Sequence, residues 1–322
     1  MKDVPLPETG RADPPLDHRS PRPLHTSSRE QRRDILVALS AATAYFVLHL
    51  VTPHIPASTL NAIGLTTFLS LVLILLFTAT AARAMRALPL VLIQLSVAAI
   101  LTVPQAVQSV FPDASLLSFM RHPALLRFYG ALMAVPGLYG LLLVWLAVCF
   151  GALLSRLFRE FKMLLPVGVT LALVDLYVVF GGGLVRQAES GKSEVAAMAM
   201  SALTVQLPAQ RPTGGAAPML LAVGFADFLF IAMFFACFVR FGIPSRNVLI
   251  ALIFTLVLYM TLVVITGLSL PALIPIAVVC LGMNLRYFRY KRAEAFALLY
   301  AGLLVAAILT AMTLWAHNGS GP

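Results

Sequence analysis

The chain has 322 residues, of which 60% are hydrophobic and only 11% are charged, and its mean hydropathy is +0.92. These values exclude an ordinary soluble domain and are typical of polytopic helical membrane proteins. The net charge of +10 would also suit a nucleic-acid-binding protein. However, most of the basic residues lie in the N-terminal tail and in loops between the apolar runs, so no nucleic-acid partner is expected.

The predicted elements begin with a tail of residues 1–33, which is rich in proline, arginine and serine and is expected to be disordered. Nine apolar runs follow, and each is interpreted as a membrane-spanning helix. The predicted spans are 35–52, 60–82, 88–109, 127–155, 164–184, 218–240, 246–267, 270–287 and 294–316. The predicted fold class is therefore an all-α polytopic membrane protein with about nine transmembrane helices in a lipid bilayer.

The basic residues predict how these helices are oriented. Most of the 23 lysines and arginines lie in the tail and in alternate loops, such as the loop with Arg156, Arg159 and Lys162. Because such loops stay in the cytoplasm, the N-terminus is expected to be cytoplasmic and the C-terminus outside. The long loop 185–217 is then non-cytoplasmic. Polar residues at helical spacing in 194–207 fit either an interfacial helix or a surface loop.

Two carboxylates, Asp175 and Asp227, lie well inside predicted spans, and no other aspartate or glutamate does. A charge at the bilayer centre costs at least ~2.5–3.5 kcal/mol, so such acids indicate a functional site. Counted from predicted starts at Leu164 and Pro218, they lie ~17 Å and ~14 Å into the membrane from opposite faces. In a hydrocarbon core ~30 Å thick both are near the middle, and they are predicted to meet.

Two carboxyl groups that meet in a medium of low dielectric constant cannot both ionise easily. One is expected to hold a proton while the other is ionised, and the proton belongs to the pair rather than to either residue. An ionised carboxylate takes a proton from water while its protonated partner polarises a peptide carbonyl, which is the chemistry of aspartic proteases. This chemistry needs no cofactor, and no histidine spacing predicts a metal site.

Three segments of the chain resemble motifs of one family, the presenilins and signal peptide peptidases, which are GxGD-type intramembrane aspartyl proteases. The segment VGFADFLF, with Gly224 and Asp227, resembles the GxGD motif. The segment LVDLYVVF resembles the stretch with the family's first catalytic aspartate, and LPALIPIAV resembles the PAL motif. The motifs occur in the family's order, and the resemblance covers roughly 164–287.

This resemblance implies that Asp175 and Asp227 are the catalytic pair and that the substrates are transmembrane proteins, cut within their helices. Gly224 would permit close approach of the backbone beside the second aspartate. The residues expected to line the substrate cleft are Pro271, Ala272 and Leu273. A substrate helix must unwind before it is cut, and the loop after Asp175 is expected to offer an edge for the extended strand.

The same resemblance divides the chain into N-terminal spans at 34–163, a catalytic core at 164–287, and an extra C-terminal span with a short tail at 288–322. The chain also departs from the family's pattern. Val174 stands where a tyrosine is expected, and Ala226 replaces the second glycine of GxGD. The ninth predicted span follows the PAL helix, where the family usually ends.

Two other functions fit the same residues. A proton-coupled transporter also places acids at the midplane, on helices interrupted by residues such as Gly181 or Pro271. Against it, the chain shows no repeat that relates its halves and no basic residue at mid-membrane. A catalytically inactive presenilin-like protein would bind membrane helices without cutting them.

Overall fold

The computed structural model of the protein describes its helical body and one small sheet. The described residues are 28–54, 60–110, 127–131, 134–135, 137–181, 198, 202–207, 222–266, 271–288, 290 and 292–318. Most of the predicted tail and most of the long loop 185–217 lie outside these residues.

Among the described residues, four α-helices precede the first aspartate-bearing helix, and four more α-helices and one antiparallel pair of strands follow it. The first four are α1 (Ser28–Val51), α2 (Leu60–Ala84), α3 (Leu88–Val110) and α4 (Leu138–Leu154). The others are α5 (Leu164–Leu176), α6 (Phe225–Arg240), α7 (Arg246–Thr266), α8 (Leu273–Gly282) and α9 (Arg292–Asn318). The strands β1 (Thr204–Gln206) and β2 (Ala222–Gly224) pair antiparallel, with Thr204 opposite Gly224.

The described residues include five helices that are long and apolar enough to cross a membrane. They are Ser28–Val51, Leu65–Ala84, Leu138–Leu157, Phe161–Val179 and Arg246–Val263. These helices confirm the predicted helical class and are compatible with a multi-pass membrane protein. The count of nine spans and the orientation of the termini stay predictions.

Three predicted boundaries differ from the structure. The first helix begins at Ser28, so the last six residues of the predicted tail are helical, and Glu30 lies in the first turn, where an acid favours a helix start. The predicted span 127–155 is interrupted, because α4 starts only at Leu138. Gly137 has a φ of 75°, and an added Cβ would lie 2.5 Å from the His49 ring, so this break requires glycine.

The third difference concerns the second aspartate-bearing helix. It begins at Phe225 rather than at Pro218, because Ala222–Gly224 form a strand. Residues 208–221 lie outside the described residues. Asp227 is therefore in the first turn of α6, and its depth has to be counted from the other end of this helix.

Helix α6 is the centre of the molecule. Its fully buried side chains include Phe228, Phe234, Phe235 and Phe238. It packs against α2, α4 and α8. Gly151 on α4 permits the closest of these approaches, since an added Cβ would lie 2.5 Å from the carbonyl oxygen of Leu229. Small residues permit helix backbones to approach closely. This packing matters in lipid, because lipid provides no hydrophobic driving force for helices to associate.

Helix α8 connects the remaining elements around the site. It packs against α5 on one side and against α7 on another. The contact with α5 is tight at Gly168, where an added Cβ would lie 2.8 Å from Leu281 and 3.2 Å from Phe234. These contacts fix the start of α8 relative to the aspartate-bearing ends of α5 and α6.

Candidate active site

The two aspartates lie at the same end of two oppositely directed helices. Asp175 is next to the last residue of α5, and Asp227 is the third residue of α6. Asp175 follows Leu164 by eleven residues, or ~17 Å of helix, and Asp227 precedes Arg240 by thirteen residues, or ~20 Å. Each of these distances runs from a helix end that has basic residues beside it. The acids are therefore at similar distances from these two helix ends, and their depth in a membrane stays a prediction.

Asp175 is bonded to the first residue of the PAL helix. The backbone N–H of Leu273 donates a hydrogen bond of 2.9 Å to Oδ2 of Asp175. Leu273 is the first residue of α8, and its N-cap residue, Ala272, has no capping side chain. The carboxylate of a different helix thus satisfies one of the free N–H groups at the start of α8, where the helix dipole favours a negative charge.

Asp227 is bonded to the N-terminus of its own helix. Its carboxyl group accepts a hydrogen bond from the backbone N–H of Gly224, the N-cap residue of α6. This is one half of a capping box, in which the third helical residue reaches back to the N-cap. Gly224 has an ordinary φ of −67°. An added Cβ would lie 3.3 Å from Oδ2 of Asp227, so the carboxyl group would have to shift by a few tenths of an ångström to admit a larger residue.

The two carboxyl groups are close enough to interact electrostatically, and each is partly buried. The hydrogen-bond donors to them among the described residues are backbone N–H groups at the starts of α6 and α8. The pair thus combines mutual repulsion with two positive helix ends, an arrangement that suits a single shared proton.

The π-helical turn Tyr177–Gly181 follows α5 directly after Asp175. Such turns are rare, and they occur often at functional sites because they widen the helix locally. Gly181, the residue considered as a helix break, is the last residue of this turn. The two glycines after it lie outside the described residues.

The hairpin β1–β2 stands immediately before Asp227. The N–H of Phe225 donates to the carbonyl of Leu203 at 2.9 Å, and the Tyr139 hydroxyl donates to the carbonyl of Ala202 at 2.8 Å. These bonds tie the hairpin to α4 and α6. The helix considered for 194–207 is wrong at its end, because Thr204–Gln206 form a strand that pairs with distant residues. The rest of that segment is mostly outside the described residues.

The other predicted site residues differ in how deeply they are buried. Pro271 and Leu273 are buried and Ala272 is partly buried at the start of α8, beside Asp175. The side chains of Ala226 and Val174 are exposed.

Tyr259 on α7 was missed by the sequence analysis. Its hydroxyl oxygen is buried and has no hydrogen-bond partner among the described residues, and it lies within electrostatic range of both Asp175 and Asp227. A signal for it exists in the sequence. Tyr259 follows Arg246 by thirteen residues, and Asp227 precedes Arg240 by the same number, so both are equally far from the turn that joins α6 and α7.

Comparison of the chain with protein-family models, with curated proteins and with solved structures found no match. A function for this site therefore depends on the geometry of these residues and on the three short motifs.

Proposed function

We propose that the protein is an intramembrane aspartic endopeptidase that hydrolyses peptide bonds within transmembrane helices. The observation that supports this most directly is the hydrogen bond between the Leu273 N–H and Asp175. It links the first acid to the start of the PAL segment, while the second acid approaches from α6 at the same depth. Three segments distant in sequence thus come together near the two acids.

The proposed reaction uses one ionised and one protonated carboxyl group. The ionised carboxylate removes a proton from water as the water oxygen attacks the carbonyl carbon. The protonated carboxyl group donates its proton to the carbonyl oxygen, which gives a neutral gem-diol. The carboxyl group that took the proton from water then gives it to the amide nitrogen, while the other carboxylate takes a proton from the gem-diol. The C–N bond breaks and leaves a carboxylic acid and an amine. Either aspartate fits either role, since the pair shares the proton.

The proposed substrate position is the free edge of β2. One edge of β2 is paired with β1, and its other edge has no strand partner among the described residues. An unwound substrate segment added there would form main-chain hydrogen bonds with Ala222–Gly224, three residues before Asp227. The carbonyl groups that lose their helical partners would be satisfied by this pairing.

The proposal includes a presenilin-like arrangement of the helices and an orientation. The N-terminus is cytoplasmic, the loop 185–217 and the C-terminus are outside, and the substrate is cut with the polarity of signal peptide peptidases. Presenilins have the opposite polarity, with this loop in the cytoplasm. We favour the charge distribution, because the reverse orientation would place most of the basic residues outside.

Photolabelling with a hydroxyl-containing transition-state analogue of aspartic proteases tests this function. Labelling of the wild-type protein that is lost in both Asp175→Ala and Asp227→Ala supports the dyad. Equal labelling of wild type and both variants would contradict it. Labelling without cleavage of any reporter helix would favour the inactive, helix-binding relative.

A proton-coupled transporter is the second candidate function. The observations that favour it are the π-helical turn after Asp175 and the start of α8 at the depth of the acids, since carriers place ion sites at broken helices. Proton flux in proteoliposomes that requires Asp175 and Asp227, with no cleavage of a reporter helix, would replace the protease proposal by this one.

A further inference from the structure

The hydroxyl group of Tyr259 lies within electrostatic range of both aspartates and has no hydrogen-bond partner among the described residues. The oxygen is buried, and among the described residues no group forms a hydrogen bond with it. A buried hydroxyl without a partner is unfavourable, so its presence here calls for an explanation. Both aspartates are within its electrostatic range, yet neither is close enough to accept its proton.

The position of Tyr259 is determined by two independent features of the fold. Along α7 it lies ~20 Å from Arg246, and Asp227 lies ~20 Å from Arg240 along α6. These two helices are joined by a short turn, so the hydroxyl and the second acid are at equal depth. In the other directions, α8 packs against both α5 and α7. The start of α8 therefore lies between Asp175 and the helix that carries Tyr259.

The dyad and Tyr259 therefore lie near one another, at similar distances along their helices. The two acids supply acceptors and one shared proton, and Tyr259 supplies a donor. A peptide group that reaches them presents a carbonyl oxygen that lost its helical hydrogen bond when the substrate unwound. The free acceptor of the substrate matches the free donor of the protein.

We propose that Tyr259 is a third catalytic residue, which donates a hydrogen bond to the carbonyl oxygen of the scissile peptide bond. This inference depends on the proposed protease function. The carbonyl oxygen gains negative charge as water attacks, and a donor already in place stabilises that charge more than it stabilises the bound substrate. The hydroxyl keeps its proton throughout, so the proton transfers of the dyad are unchanged.

The test is the Tyr259→Phe variant of the full-length protein in vesicles, assayed with a reporter transmembrane helix. We expect kcat to fall by about tenfold or more, because loss of one such donor typically costs this much or more, while KM changes by less than about threefold. We also expect the melting temperature to be unchanged or raised, since the variant removes a buried hydroxyl that has no partner.

Tyr45→Phe is the matched control. Tyr45 is also fully buried, its hydroxyl also has no partner among the described residues, and it lies on α1 beside Gly140. Its kcat should equal that of wild type. A structural role for buried tyrosine hydroxyls would lower the stability of both variants, whereas a catalytic role lowers kcat in Tyr259→Phe alone.

The outcomes separate this inference from the proposed function. If Asp175→Asn and Asp227→Asn are inactive but Tyr259→Phe keeps more than half of the wild-type kcat, only the role of Tyr259 is overturned. A Tyr259→Phe protein that is less stable than wild type also overturns it, because the hydroxyl would then have a partner in the fold. Cleavage that survives in the aspartate variants, or wild type that cleaves no helix, overturns both.

Discussion

The N–H of Leu273 and the carboxylate of Asp175 form a hydrogen bond of 2.9 Å between residues 98 positions apart in the chain. It joins the N-terminus of α8 to the C-terminal end of α5. An acid at the C-terminal end of a helix is unfavourable for its own helix dipole, and the N-terminus of α8 compensates for this. The PAL segment therefore contributes a backbone group to the site, in addition to the side chains expected to line a cleft.

Replacement of either acid by asparagine is expected to abolish cleavage. In Asp175→Asn or Asp227→Asn the amide can neither share the proton nor take one from water, so turnover should fall by at least about a thousandfold. The protein should stay folded, because the amide oxygen can still accept the backbone N–H bond. Cleavage of a reporter transmembrane helix measures the first effect and thermal unfolding the second.

Glu160→Gln is the control for that experiment. Glu160 is exposed and pairs with Lys162 at 3.1 Å, so its loss should not affect turnover. Retention of more than a small fraction of wild-type turnover in either aspartate variant would contradict the protease proposal.

A cysteine at each acid position should permit a crosslink. The carboxyl groups interact electrostatically, so Asp175→Cys with Asp227→Cys should react with a short bifunctional reagent. The background needs the three native cysteines removed, although all three are buried and free. Mobility on a gel after a tryptic cut between α5 and α6 reports the link.

The control pair is Asp175→Cys with Arg240→Cys, because Arg240 lies at the other end of α6. That residue lies ~20 Å further along the helix, so a short reagent should not link it to position 175. Equal yields for both pairs, or no product from the 175–227 pair at any reagent length in a stable protein, would remove the dyad.

The two small residues of the GFAD segment should respond differently to exchange. Gly224→Ala places a methyl 3.3 Å from Oδ2 of Asp227, so the carboxyl group must move by a few tenths of an ångström. We expect kcat to fall by about tenfold, since catalysis is sensitive to small displacements. The measurement is kcat for the reporter helix at saturating substrate.

Ala226→Gly is the matched exchange, two residues further on. This exchange introduces the second glycine of the GxGD motif that the segment resembles, and the Ala226 side chain is exposed, so activity should be unchanged or raised. A large loss in Ala226→Gly would show that the methyl is part of this protein's own packing. An unchanged Gly224→Ala would show that the carboxyl group tolerates the shift.

The orientation of the membrane domain gives a further prediction. Reporter fusions after Gln187 and after Gln210, both in the loop between the aspartate-bearing helices, should show a non-cytoplasmic location. The reason is that the loops before and after these helices carry Arg156, Arg159 and Arg240. A cytoplasmic signal from both fusions would mean that one N-terminal span has been miscounted, most simply within 88–155.

Much of the helical architecture was predictable because apolar composition determines it locally. The predicted spans 60–82, 88–109 and 246–267 agree with α2, α3 and α7 to within two residues at each end. The two aspartates were equally easy to identify from the sequence, because a carboxylate in a long apolar run is a conspicuous exception. Gly224 could be assigned close approach of the backbone, and the structure shows its space filled by the Asp227 carboxyl group.

The sequence by itself determined the helices, the two acids in apolar runs and the segments that resemble GxGD and PAL. Only the tertiary structure decided where α6 begins, because Ala222 and Val223 are as apolar as a helix start and become a strand by pairing with Val205 and Gln206, far away in the chain. It likewise decided that the Leu273 N–H bonds to Asp175 and that Tyr259 lies within electrostatic range of both acids. Such features depend on contacts between helices distant in sequence, and the apolar periodicity of a membrane helix does not specify which neighbour each face will meet.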